Sequence, residues 1–452
     1  MSDIRHIHLG LWLTYLSTAN WSDPGSRVEE INSLPPYLDI AHAAEDAKLD
    51  AVIRGDGVAA QRIRKRDSPH AGSLELLTLL SALAARTERI GLIGTASTTF
   101  SEPYTLARQL GTIDHLSGGR IGWNIVTSSD GEKNYGYESI PDQDARYDRA
   151  DEFVEVVQKL WASWERGALP FDREGRRLVE PDLIHPIDHI GEHFRVEGPL
   201  NIGRSPQGRP VLVQAGNSER GRRFAAEHAE VVFTAQQRLD EAAVFAHDIR
   251  ERVAAAGRAA GQVKILPGVG LYLAETETEA LEAYERELEV IDYDQARLSL
   301  EELLGGADLS GIDLDARVPA DRFPDTSRLA RRQSRPQIFV DLALTHGYTL
   351  RKVLQAVATG FGHGRFVGTP EQAADHFVEW VDHGAADGFV VFPSGGWQTI
   401  RLLTEQVVPI LRERGRFRQE YEGVTLRDHF GLPPLPDDFA AAPVTGRTTT
   451  PH

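Results

Sequence analysis

The chain has 452 residues, 41% of them hydrophobic and 8% aromatic, which is enough for a large core. Its 67 acidic residues outnumber its 49 basic ones, and the net charge of −18 argues against binding to nucleic acid, for which a basic face is expected. Cysteine is absent, so disulfides, cysteine nucleophiles and cysteine metal ligands are excluded. The N-terminal sequence MSDIRHIHLG lacks a signal-peptide pattern, and no apolar run approaches the ~20 residues that span a membrane. We therefore expect a cytoplasmic protein that does not bind membranes.

Short runs rich in β-branched and apolar residues alternate along the chain with longer helical patterns. Two of the helical patterns, 74–87 and 149–164, place apolar residues at the spacing of a one-sided helix. Several strand runs are almost continuously apolar, as in a parallel sheet that is covered on both faces. Eight strand–helix pairs predict an α/β fold, a (β/α)8 TIM barrel, with an open doubly wound sheet as the alternative. The predicted strands are 6–13, 51–57, 90–98, 120–128, 210–216, 230–236, 264–274 and 388–393.

Two segments interrupt this alternation, one after predicted helix 4 and one after predicted helix 7. The first, about 167–209, is rich in proline, glycine and charged residues, and the second covers about 292–368. Long insertions in such barrels usually build or cover the active site. We therefore predict one barrel domain over 1–433 with two insertions, followed by a proline- and threonine-rich tail over 434–452. We expect the tail to be ordered only where it packs on the barrel or on a partner subunit.

Functional side chains of a βα barrel lie at the C-terminal ends of its strands and in the loops that follow. This rule selects Asp56 after strand 2, Thr98 at the end of strand 3 and Asn124 in strand 4. After strand 5, the sequence QAGNSERG places small residues and Ser218 before a helix. Free backbone N–H groups and the helix dipole at such a position favour a phosphate. The alternative is that Ser218 is an ordinary helix N-cap.

Arg54 is a charged residue inside predicted strand 2. It shares strand parity with Asp56, so it either forms a structural ion pair or contacts the substrate.

Two other motifs suggest functions that their context does not support. Three histidines recur every four residues, as metal ligands on a helix do, but Pro186 and Gly191 disfavour a helix there, and we predict no metal site. The sequence GFGHGR over 360–365 follows a helical pattern rather than a strand, so it does not predict a dinucleotide-binding loop. The three histidines are His185, His189 and His193.

Long collinear stretches of the chain resemble one family. They read LTLLSALAARTERIGLIGTASTTFSEPYTLARQLGTIDHLSGGRIGWNIVTSS, RYDRADEFVEVVQKLW, HPIDHIGEHFRVEGPLNIGRSPQGRPVLVQAGNSERGR and GRFRQEYEGVTLRDHFGLP. They are similar to the flavin-dependent monooxygenase family of nitrilotriacetate monooxygenase, dibenzothiophene-sulfone monooxygenase and the pristinamycin IIA synthase large subunit. This family belongs to the bacterial-luciferase-like superfamily, and the resemblance covers about 6–433.

The resemblance implies a two-component monooxygenase. A separate NAD(P)H:flavin reductase supplies FMNH2, which reacts with O2 to a flavin C4a-(hydro)peroxide that oxygenates a small organic substrate, in some members with C–N or C–S cleavage. Because the cofactor carries the chemistry, the chain needs no nucleophile of its own. The resemblance also implies a homodimer or homotetramer. Carried over by position, the flavin-binding residues are Asp56, Thr98, Asn124, Tyr147 and Ser218, with Gln143 where the family commonly has histidine.

The substrate side of the site is less constrained. Arg54 leaves room for an anionic substrate, and Trp12 and Phe100 near strand ends leave room for an aromatic one. His346 and His363 are candidate proton donors, and the second insertion is the candidate lid that excludes water. Two alternatives stay open, a deazaflavin-dependent oxidoreductase of the same superfamily and a non-catalytic flavin-binding subunit.

Overall fold

The computed structural model describes residues 5–17, 20–59, 74–326, 329 and 334–437. Its strands are β1 (His8–Trp12), β2 (Ala51–Arg54), β3 (Gly91–Ser97), β4 (Ile121–Val126), β5 (His189–Ile190), β6 (Arg195–Val196), β7 (Val211–Gln214), β8 (Val231–Thr234), β9 (Lys264–Leu273), β10 (Gly364–Gly368) and β11 (Gly388–Phe392). Its helices are α1 (Pro35–Asp46), α2 (Leu76–Ala84), α3 (Pro103–Leu116), α4 (Gln143–Ala162), α5 (Glu219–His228), α6 (Leu239–Ala255), α7 (Glu277–Glu289), α8 (Tyr293–Leu303), α9 (Ser334–Leu344), α10 (Leu350–Gly360), α11 (Pro370–Asp382), α12 (Trp397–Leu402), α13 (Val408–Glu413) and α14 (Leu426–His429). Among the described residues, we find no helix whose length and apolar character would carry it across a lipid bilayer.

Eight parallel strands close into a barrel, in the order β1, β2, β3, β4, β7, β8, β9, β11 and back to β1. The predicted TIM barrel is therefore confirmed, and the open sheet is wrong. Both insertions are present, since the β5–β6 hairpin follows α4 and helices α8 to α10 follow α7. Of the predicted tail, residues 438–452 lie outside the described part of the chain.

A ninth parallel strand, β10, lies inside the segment that the sequence assigned to the second insertion. β8 pairs with the first residues of β9, and β10 pairs with its last five residues on the register Gly364–Val269 to Gly368–Leu273. Strand β10 therefore follows β8 along β9, toward the C-terminal end of β9. Because α10 ends at Gly360, the short connection to β10 brings the end of the insertion to the C-terminal mouth of the barrel.

The N-terminal end of the barrel is closed by the chain's own C-terminal segment. Leu426 and Phe430 pack into the cluster of inward-facing strand residues. Arg427 forms two hydrogen bonds with Glu230, of 2.8 and 3.1 Å, and Arg209 binds the same carboxylate. Burial opposes ionisation there, but the two arginines outweigh it and lower the pKa of Glu230 to about 2. This closure leaves the C-terminal mouth as the place for a site.

Candidate active site

The mouth between β3 and β4 is lined by polar side chains that point into the barrel. Asn124 donates from Nδ2 to the Thr95 hydroxyl at 2.8 Å, and the Ser128 hydroxyl donates to that of Ser97 at the same distance. The other amide atom of Asn124, Oδ1, is buried and has no hydrogen-bond partner among the described residues. A buried polar atom without a partner costs about 1–3 kcal/mol, so it marks a place where a ligand atom would stabilise the protein.

A second polar group surrounds the start of α5. Ser218 is the N-cap of this helix, and its hydroxyl accepts from the backbone N–H of Gly221 at 3.2 Å and from Nε2 of Gln143 at 2.9 Å. Burial raises the pKa of the Tyr147 hydroxyl, against hydrogen bonds with Thr127 and Ser218. Ser218 is therefore the helix N-cap that was the alternative to a phosphate site, and hydroxyl and amide groups that could also contact an anion surround the helix start.

Gly216, which precedes α5, has no room for a side chain because the side chains of Gln214 and Tyr147 pack against its backbone. A Cβ on Gly216 would lie 2.4 Å from Nε2 of Gln214 and 2.6 Å from the Tyr147 hydroxyl oxygen. Within the described ranges, Oε1 of Gln143 and Oε1 of Gln214 are also buried without partners. The sequence analysis did not select Gln214 as a site residue, although it is the one polar residue in the run VLVQ and stands at its end. Asn124, Gln143 and Gln214 thus each have a buried amide oxygen, and each amide is able to accept or donate.

Asp56 and Thr98 lie beside this polar region without hydrogen bonding to the three amides. Burial and the nearby Glu75 raise the pKa of Asp56, which stands on the loop after β2. Thr98 is fully buried, and its backbone N–H donates to the carbonyl of Val126 at 3.0 Å.

Arg54 does not form the ion pair with Asp56 that was one of the two predicted possibilities. Its Nη1 donates to the carbonyl of Leu13 at 2.7 Å, and its guanidinium carbon lies 5.1 Å from the centre of the Tyr37 ring. Among the described residues, no carboxylate oxygen lies within 4.0 Å of this guanidinium. Within the part of the chain that the structure describes, Arg54 is thus a half-buried cation without a paired anion.

Aromatic rings line the opposite part of the mouth. The Trp12 ring centre lies 4.8 Å from that of Phe392 and 6.0 Å from that of Phe233. The His363 ring stacks on Phe233 at 5.0 Å and lies 4.9 Å from Phe392. The sequence analysis selected Trp12 and His363 but not Phe233 or Phe392. These two phenylalanines are the last inward-facing residues of β8 and β11. These rings form an apolar wall on this side of the mouth.

Two other predicted residues lie further out. Phe100 stacks on the exposed Tyr135 with ring centres 4.5 Å apart, on the loops after β3 and β4. His346 lies between α9 and α10, where its Nε2 is 2.9 Å from a carboxylate oxygen of Glu241 on α6.

The three histidines spaced every four residues do not converge. His185 bonds Glu165 and His189 bonds Glu152, while the backbone N–H of His193 also donates to Glu152. Elsewhere, Asp151, Glu227 and His228 lie close enough to share an ion. Asp151, however, already pairs with Arg220 and His228, which explains the cluster as an ion-pair network.

Comparison with known proteins shows which family this chain resembles. Residues 12–387 match the family model described as luciferase-like monooxygenase. Nitrilotriacetate monooxygenase component A of Aminobacter aminovorans is 43% identical over 91% of this chain and 93% of its own length. N-acetyl-S-(2-succino)cysteine monooxygenase of Bacillus subtilis (strain 168) is 42% identical over 95% and 97%. A crystal structure of a riboflavin lyase with modified FMN and riboflavin is 33% identical, with a TM-score of 0.82 over 95% of this chain and 96% of that one.

Proposed function

This chain belongs to the luciferase-like monooxygenase family and is a flavin-dependent monooxygenase, and we propose that it is the oxygenase component of a two-component system that uses FMN. In this proposal, a separate NAD(P)H:flavin reductase supplies FMNH2 to a cytoplasmic homodimer or homotetramer. The reduced flavin gives two electrons to O2, so that one oxygen atom enters a small organic substrate and the other leaves as water.

The observation that carries the proposal is the set of buried amide oxygens without partners among the described residues, those of Gln143 and Gln214 near the start of α5 and that of Asn124 inside the barrel. FMN combines a phosphate with a ring that has donors and acceptors along one edge. The N-terminus of α5, with Ser218, Tyr147 and Gln143 around it, fits the phosphate. The Asn124 amide fits the ring edge, because it can donate and accept without bringing a charge. We assign Asp56 and Thr98 to the same flavin site.

We propose a carboxylate-bearing substrate. The guanidinium of Arg54, which has no anionic partner among the described residues, supports an anionic group, and the rings of Trp12 and Phe100 provide apolar surface. The relatives at 43% and 42% identity are named for nitrilotriacetate and N-acetyl-S-(2-succino)cysteine, which both carry several carboxylates.

Ser218→Asp tests the phosphate assignment. Aspartate is as good an N-cap as serine, so α5 is preserved, but its charge repels a phosphate by several kcal/mol. We expect FMN affinity, measured by quenching of flavin fluorescence, to fall by about 100-fold or more. Riboflavin, which has no phosphate, should lose much less. Ser218→Asn is the matched control, since it caps the helix without charge, and equal FMN affinity in all three proteins would contradict the assignment.

Turnover assays separate this function from the two alternatives. With NADH, a flavin reductase and FMN, we expect an oxygenated product, formed only in the presence of O2, from a carboxylate substrate drawn from a panel of amino-polycarboxylates and S-alkylated cysteines. Oxidation or reduction of a deazaflavin without O2 uptake would support the deazaflavin alternative instead. FMN binding without turnover of any compound would support a non-catalytic subunit.

A further inference from the structure

The ring of His363 contacts both a barrel strand, β9, and a helix of the second insertion, α9. Its ring lies over Gly268 of β9, where a Cβ would be only 2.4 Å from Nδ1. On its other side, Nε2 is 2.7 Å from Nη2 of Arg335, the second residue of α9. The glycine therefore leaves space for the ring at the mouth, and the insertion supplies the group that contacts its outer nitrogen.

The contact with Arg335 determines which nitrogen of His363 carries the hydrogen. A guanidinium has only donors and stays charged, so Nε2 must accept, and a ring whose Nε2 accepts is neutral with its hydrogen on Nδ1. Nδ1 is buried and has no partner with hydrogen-bond geometry among the described residues, and the Thr234 backbone makes only a weak hydrogen bond with the ring. The result is a buried N–H donor at the mouth of the barrel.

The surroundings keep the ring neutral. Burial and the charge of Arg335 lower the pKa of His363 well below its ordinary value, and the backbone of Thr234 acts more weakly in the opposite direction. Among the described residues, the ring also faces Phe233 of β8, Gly268 of β9 and Phe392 of β11, and none of these three is charged. A cationic His363 acting as a general acid, one form of the predicted proton donor, is therefore disfavoured.

We infer that Arg335 is a positioning residue that fixes His363 as a neutral ring with its hydrogen on Nδ1, which donates to an oxygen or nitrogen acceptor bound in the barrel mouth. Helix α9 would then complete the site by setting the hydrogen-bonding state of a residue at the entry to β10. That the acceptor belongs to flavin or substrate rests on the proposed function, whereas the tautomer does not.

The tautomer is measurable in the ligand-free protein. Selective 15N labelling of histidine gives NMR shifts that distinguish Nδ1–H, Nε2–H and the doubly protonated ring, and His363→Asn identifies the signal by its loss. We expect Nδ1–H throughout pH 5.5 to 7.5 in the natural protein. In Arg335→Leu we expect protonation to move toward the ordinary pKa of about 6.5, and Arg335→Lys should restore much of the original behaviour. An Nε2–H ring, or titration near the ordinary value in the natural protein, overturns the inference even if the enzyme proves inactive.

Two amide substitutions test the donor itself. The amide nitrogen of asparagine overlies Nδ1 of histidine, whereas that of glutamine overlies Nε2, so His363→Asn keeps the proposed donor and His363→Gln moves it. We expect His363→Gln to lower kcat/KM or FMN affinity by about tenfold relative to His363→Asn. A difference in FMN affinity identifies the flavin as the acceptor, and a difference in turnover alone identifies the substrate. Equal behaviour of the two variants, with folding verified by circular dichroism, overturns the donor role.

Discussion

The two long insertions of this barrel are built in different ways. The first, between α4 and β7, buries Phe194 and Leu200 in the same apolar cluster as the helices that surround the barrel. The second, which contains α8 to α10, buries Leu300, Phe339 and Leu354 in a separate cluster drawn entirely from its own residues. One insertion is thus part of the main core, and the other is a helical unit with a core of its own.

This difference indicates how each insertion can act. Moving the first one would expose part of the main core, so it stabilises the barrel. The second keeps its own core when it moves. Among its polar contacts with the rest of the chain are that of Arg335 with His363 near the mouth and that of His346 with Glu241 further out. Such a unit is suited to the predicted role of a lid, because it can change position without unfolding.

A matched pair of leucine substitutions tests the comparison most strongly. Leu200 and Leu354 are both buried, and truncation of a buried leucine to alanine costs about 2–5 kcal/mol. We expect Leu200→Ala to lower the free energy of global unfolding in urea. Leu354→Ala should instead raise hydrogen exchange mainly across 292–360. Loss of protection throughout the barrel in Leu354→Ala would show that the second core is not separate.

The first insertion is also attached through a buried carboxyl group whose ionisation depends on pH. Gln207 of this insertion donates to Oδ1 of Asp114 at 2.7 Å, and the backbone N–H of Ile121 donates to the same atom. Burial raises the pKa of Asp114 to about 6. Because the folded pKa lies above the unfolded one, the stabilisation is complete below about pH 4 and is lost as pH rises through about 6.

Asp114→Asn removes this titration and keeps the acceptor atom. Between pH 5 and pH 7.5, we expect the natural protein to lose about 1 kcal/mol of unfolding free energy relative to the variant. Urea denaturation of both proteins at the two pH values measures this change in unfolding free energy. Asp294→Asn, at an exposed position of the second insertion, is the control and should show no such difference. A parallel response of Asp114→Asn and the natural protein would mean that Asp114 is ionised throughout.

The sequence predicted what depends on local pattern. Hydrophobic periodicity located all eight barrel strands and both insertions, and the rule that sites lie at strand ends selected Asn124 and Ser218. It could not predict that β10 pairs with β9, or that Arg335 meets His363, because these contacts depend on the path of the chain through the second insertion. Gln214 was missed for another reason, since an apolar strand conceals the one polar residue at its end.

The smallest effect concerns the surface contact of the second insertion. His346 and Glu241 are both partly exposed, and such pairs contribute up to about 1 kcal/mol that weakens with salt. We expect His346→Gln to raise hydrogen exchange slightly near the α9–α10 loop at low salt and to leave global stability unchanged. Asp240→Asn is the control, since Asp240 lies on the same helix as Glu241 but pairs with Arg238 rather than with His346. A large loosening of the whole insertion would mean that this pair, rather than the Arg335–His363 contact, holds it at the mouth. The same variant tests the predicted proton-donor role of His346, because that role requires turnover to fall while FMN affinity stays unchanged.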